Sequence, residues 1–156
     1  LVGDGVSDVQ IFKLGTTALH NITLSNIKAG AHIIIDSTLS IVQFSGDLGG
    51  DKADSSDALA AYRDRILYNL GNATSVSVNS FVNGSVLAVH AAVSGSGHLE
   101  GSLIADSLHA GAWGGKLELG YEPYVPSSPV PEPASLAMLL AGLAAVALKT
   151  RRRLKD

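Results

Sequence analysis

A pentapeptide recurs in this chain. Gly84-Ser85-Val86-Leu87-Ala88 returns seventeen residues later as Gly101-Ser102-Leu103-Ile104-Ala105. Ser75 to Asn79 precedes the first copy, and Lys116 to Leu119 follows the second. Repetition at a short offset is the mark of a chain that stacks one structural unit on the next. Small residues at equivalent positions allow tight turns, and the apolar pair fills an interior. The fold this predicts is mainly β, a β-solenoid (β-helix-like); a β-sandwich with two similar strands is the alternative. Composition suits either. The 156 residues include 17 glycines and only eight aromatics, and small, turn-forming and β-branched types dominate. The length suits about one domain. With no cysteine, a disulfide framework, a thiolate zinc site and a cysteine nucleophile are all excluded.

In the first part of the chain, Val9 to Phe12, Leu19 to Ile27, Ile33 to Ile35 and Leu39 to Phe44 read as strands. Gly30, Asp36-Ser37 and Gly46 punctuate them as turns. One amphipathic helix is expected at about 55–70. Ser55 or Ser56 can cap it, and Asp57 suits its first turn. Leu59, Tyr62, Ile66, Leu67 and Leu70 recur at helical spacing, Arg63 and Arg65 follow in its second half, and Gly71 can stop it.

Charge divides the chain. Lys149, Arg151, Arg152, Arg153 and Lys155 supply five of the eleven basic residues. The first 148 residues hold six basic and thirteen acidic side chains, a balance of −7. Such a body offers no electrostatic footprint for nucleic acid. A proline-rich stretch, 125–133, separates body from basic end. Four prolines in nine residues exclude a helix or a central strand there and favour an extended spacer. Ala134 to Leu148 follows without a charge, and only Ser135 is polar. As a helix it reaches about 22 Å, short against a hydrocarbon core of about 30 Å. Lys149 can snorkel and lengthen it. Its apolar residues cover every face, unlike a surface helix. The basic cluster beyond it is the cytoplasmic stop of the positive-inside rule, so residues 1–133 are expected outside the cytoplasm. The chain begins at Leu1 with no signal-peptide pattern, so any export signal is expected upstream.

Pro131-Glu132-Pro133, a short apolar helix and Arg151 to Arg153, in that order, resemble the PEP-CTERM sorting signal of Gram-negative bacteria. The resemblance implies recognition by an exosortase, a membrane-embedded transpeptidase-like enzyme, with the inner membrane as a transient partner. The body has its own resemblance. Ile66 to Ser75, Val82 to Ala88, Glu100 to Ala105 and Gly114 to Leu119 look like the choice-of-anchor A family. That family carries an adhesive, collagen-binding-like domain followed by one of several anchors. It needs more chain upstream, so the resemblance makes 1–122 the C-terminal part of such a domain, 123–130 a linker and 131–156 the sorting tail.

Candidate chemistry is sparse. His20, His32, His90, His98 and His109 show no short metal-ligand spacing. Asp4, Asp8, Asp47, Asp51, Asp54 and Asp57 lie near loops, but without the order of a calcium-binding hand. Glu100, Asp106 and Glu118 are the carboxylates a polysaccharide-cleaving solenoid would use. Gly95-Ser96-Gly97 reads as a turn rather than a nucleophile elbow. No catalytic, metal or cofactor residue is assigned. The sequons at Asn21, Asn72 and Asn83 are taken as incidental. Trp113, Tyr121 and Tyr124 are read as covering an open end of the solenoid, with stacking on sugar rings as the alternative. The expectation is an exported, non-enzymatic, adhesive protein. It passes the inner membrane during processing and ends at the cell surface or in the extracellular matrix, with extracellular polysaccharide as a ligand class. A glycan-binding module of a larger secreted enzyme is the alternative.

Overall fold

The computed structural model describes residues 1–46 and 59–126. The helix expected over 134–148, the sorting motif, the basic cluster, and Asp47, Asp51, Asp54 and Asp57 lie outside them. The described chain is mainly β, with eleven strands. These are β1 (Val9–Leu14), β2 (Ala18–Leu19), β3 (His32–Ser37), β4 (Ile41–Phe44), β5 (Ile66–Asn69) and β6 (Ser75–Val78), followed by β7 (Phe81–Asn83), β8 (Ser85–Gly95), β9 (His98–Glu100), β10 (Leu103–Ala110) and β11 (Glu118–Gly120). Every pairing between them is parallel. An antiparallel sandwich does not pair this way.

One sheet runs β1-β3-β5-β8-β6-β4-β2, with β10 also on β8, and a second runs β11-β9-β7. The first sheet is curled because β8 serves both of its arms. Its start pairs with β5, from Leu67↔Ser85 to Asn69↔Leu87, and its end pairs with β6, from Ser75↔Ala92 to Val78↔Gly95. The repeated pentapeptides lie side by side, with Leu103 opposite Val86, Ile104 opposite Leu87 and Ala105 opposite Ala88.

This pairing explains the repeat. A Cβ on Gly101 would run into the backbone of Gly84 and Ser85. The Ser85 hydroxyl is buried and accepts a hydrogen bond from the Ser102 amide at 2.9 Å. Glycine and serine recur because backbone meets backbone at this corner. Side chains alternate along a strand, so one member of each apolar pair points inward. Val86 is buried and Ile104 exposed, with Leu87 and Leu103 between.

The interior is built from matched columns. Ile35, Tyr68 and Val86 are neighbours across β3, β5 and β8, and Val42, Val76 and Val93 across β4, β6 and β8. All six are at most 1% exposed. Phe44 meets the Tyr68 ring edge-on at 5.0 Å. Each such side chain contributes about 1.5–3 kcal/mol of transfer free energy, opposed by backbone ordering.

The helix expected at about 55–70 is corrected. Ala60–Arg65 is a 3-10 helix, and Ile66–Asn69 is strand β5. Ile66 and Tyr68 are wholly buried between β3 and β8. A helix there would leave β3 and the start of β8 each unpaired on the side that faces β5, so pairing overrides local spacing. The long strand expected over Leu19 to Ile27 shrinks to Ala18–Leu19 plus a bridge from Ser25 to Val2. Asn21 and Asn26 adopt left-handed φ of 46° and 52°, which ends extension. Asp36 and Ser37, read as a turn, close β3 instead, and Asn69 Nδ2 donates to Asp36 across the sheet at 2.8 Å.

Candidate functional site

The strands of the second sheet bring a polar group together. Phe81, His98 and Glu118 occupy one register position on β7, β9 and β11, and Glu100 lies two residues after His98. The His98 ring stacks on Phe81 at 4.5 Å, with the planes 5° apart. Its Nε2 lies 2.7 Å from Glu100 Oε1, and its Nδ1 lies 3.1 Å from Glu118 Oε2. Arg63, in the 3-10 helix, completes the group. Its Nη1 is 3.6 Å from Glu100 and 3.9 Å from Glu122, and its side chain is only 6% exposed. Its Nε and Nη2 are buried without a hydrogen-bond partner among the described residues.

Burial alone would lower the His98 pKa. Hydrogen bonds that His98 donates to Glu118 and Glu100, and the negative charge of both carboxylates, outweigh it and raise the pKa above the ordinary 6.5. A raised folded pKa stabilises the fold fully below the unfolded value, and the contribution fades as pH rises through the folded one. Wild type should therefore lose melting temperature relative to His98→Gln as pH climbs from 6 to 8. Parallel curves for the two proteins would show that the clamp carries no charge-dependent stability.

Of the sequence candidates, Glu100 and Glu118 meet at His98, while Asp106 stands apart and exposed at a register shift in β10. His20, His90 and His109 are exposed and scattered. Among the described residues no three His, Asp or Glu side chains converge as metal ligands. Asp4 accepts from the Ser7 hydroxyl and amide, from Gln10 Nε2 and from the Val6 amide, and these bonds, that of the Ser7 hydroxyl above all, hold its pKa far below the usual carboxylate range. Asp8 pairs with Lys28 at 2.7 Å. Asn83 is wholly buried, which closes that sequon to modification.

The aromatics divide. Trp113 and Tyr121 are fully or almost fully exposed, so neither covers an end of the sheet. Trp113 takes a left-handed φ of 60° at the tip of a 3-10 turn, Ala112–Gly114. Below that turn a cavity of about 370 Å³ opens between Leu108–Ala110 and Gly115–Leu117. Tyr124 turns inward, and its ring meets His32 edge-on at 5.8 Å. His32, 8% exposed, places Nε2 2.7 Å from the carbonyl oxygen of Val125, and the Val125 amide donates to the Asp64 carbonyl at 2.8 Å. Nothing local in the sequence points to this role for His32, because its partner lies 93 residues downstream.

The family described as "Putative Ice-binding-like adhesive domain" has a model that matches residues 1–117. The chain belongs to that family. A second model, the PEP-CTERM protein-sorting motif, matches residues 129–153. No curated protein and no solved structure matches this chain. The adhesive domain is compatible with the choice-of-anchor A resemblance. An adhesive-type domain followed by a sorting motif is the arrangement of an exported surface protein. Among the described residues no helix is long and apolar enough to cross a membrane.

Proposed function

We propose that this chain is the exported, non-enzymatic, adhesive part of a surface or extracellular-matrix protein of a Gram-negative bacterium. Its curled parallel sheet is the coil of a β-solenoid. Its tail is held in the inner membrane by Ala134 to Leu148, with Lys149, Arg151, Arg152, Arg153 and Lys155 on the cytoplasmic side, until an exosortase cuts near Pro131-Glu132-Pro133. The observation that carries this reading is one chain holding an adhesive-type domain, residues 1–117, and a sorting motif, residues 129–153. With it goes a division, read from the sequence, into a body to 122, a linker 123–130 and a tail 131–156.

For the ligand, extracellular polysaccharide is the class that the exposed aromatics favour. Trp113 and Tyr121 offer ring faces to solvent at great cost in exposed apolar area. His109 and Lys116 supply polar groups at the cavity beside the turn. Against catalysis stands the engagement of Glu100 and Glu118 by His98 and Arg63, which leaves no free carboxylate pair there.

One preparation tests both halves. The mature protein, isolated from an exosortase-bearing host, should end near Pro133 by mass spectrometry and be retained on that host's polysaccharide. Trp113→Ala with Tyr121→Ala should cut retention at least tenfold while the melting temperature holds. An intact Arg-containing C-terminal peptide would reject the sorting half, and undiminished retention the adhesive surface.

A further inference from the structure

We propose that residues 121–126 form a latch that holds the sorting motif too near the folded body for cleavage, so that unlatching admits the processing enzyme. The proposal rests on the reading of Pro131-Glu132-Pro133 as an exosortase signal.

The path of the chain after its last strand carries the argument. β11 ends at Gly120, and the chain then turns back along the stack. Glu122 faces Arg63, which precedes β5, and Tyr124 and Val125 reach His32, the first residue of β3. The Val125 amide is bonded to Asp64 on the way. The segment is thus attached at three points along its length. The contacts are light. Val125 is 49% exposed, and no residue from 121 to 126 is fully buried. Such a segment opens locally while the core of valines and isoleucines stays folded.

Length then decides what opening does. From Pro126 to Pro131 is five residue steps. Fully extended they span about 17 Å. A folded body of about 120 residues has a radius of gyration near 13–14 Å, so it crowds anything that close. With the latch open, the free chain runs from Gly120 to Pro131, eleven residues and about 38 Å. Opening doubles the clearance for an enzyme whose catalytic centre sits in a membrane. Tyr124 and Glu122 are positioning residues here, because they act on the motif through the chain between.

The test uses the full chain in an exosortase-bearing bacterium, with pulse-chase mass spectrometry of the tail. Tyr124→Ala and Glu122→Gln should each speed processing about threefold or more, and Tyr124→Phe, which keeps the ring contact, should restore the wild-type rate. Inserting six Gly/Ser residues after Pro126 leaves the latch intact and supplies the same clearance. It should speed processing as much, with no further gain when combined with Tyr124→Ala. Amide exchange at Val125 in the purified full chain reports the latch itself, protected in wild type and open in Tyr124→Ala. Equal rates in all variants despite an opened Val125 amide would overturn the proposal. So would slower cleavage in Tyr124→Ala, since the segment would then be presenting the motif. An intact tail in every protein, the insertion included, would overturn the sorting reading itself and the latch with it.

Discussion

Gly95→Val should destabilise the native fold by several kcal/mol. Gly95 ends β8 at φ +153°, and a Cβ built there is driven into the carbonyl of Val78 on the neighbouring strand. The obstacle is backbone on both sides, so no rotamer change relieves it. Backbone strain of about 1–3 kcal/mol adds to overpacking of about 1–3 kcal/mol or more. Together they approach the whole stability of a domain this size, about 5–15 kcal/mol. Circular dichroism should show loss of the β signal at 25 °C, or a midpoint in urea at least halved. Gly114→Ala is the control. It also has positive φ, at +78°, but an added Cβ meets nothing within 4 Å. It should cost only the strain, within about 1–2 kcal/mol. A Gly95 variant as stable as the Gly114 variant would mean that the strands do not approach there as described.

The second large effect is a contrast between neighbours. Val86→Asp buries a charge with no partner in the column between Tyr68 and Leu103 and should cost several kcal/mol. Leu87→Asp, one residue on, faces outward and should cost about 1 kcal/mol or less. The same order should hold in the second copy, where Leu103 packs against the core and Ile104 is 56% exposed. The gap should be smaller there, because β10 pairs with β8 alone. Urea midpoints of the four variants decide it. Opposite orders in the two copies would contradict the pairing of Val86 with Leu103.

The repeat was legible because register leaves a trace in sequence. Gly101 must be small because it abuts the Gly84 backbone, and Val86 and Leu103 must be apolar because they occupy one position in adjacent strands. The helix at about 55–70 was misread for a related reason. Leu59, Tyr62, Ile66 and Leu70 fit helical spacing, yet Ile66, Tyr68 and Leu70 equally fit alternation, and only the strands on either side decide between them. The polar group was not read from the sequence. His98 and Glu100, two apart, share one face only once that stretch is strand β9. Glu118 is twenty residues beyond His98, not seventeen, so the repeat alone does not align the two. Arg63, expected in the second half of an amphipathic helix, is instead buried in a 3-10 turn. The contact of His32 with Val125 had no local signal, because it depends on the chain reversing after Gly120.

That reversal changes how a tethered molecule bears load. Were the chain to run straight out from β11, a pull on the tail would fall on a strand of three residues that pairs only with β9, and would unzip it bond by bond. Because the tether first crosses to Asp64 and His32, the pull enters at β3 and just ahead of β5, strands flanked by partners on both sides. The pull thus meets strands paired on both sides before it meets an edge strand. The contacts at Val125 and Tyr124 act as a weak link in series that yields before the last strand feels the force.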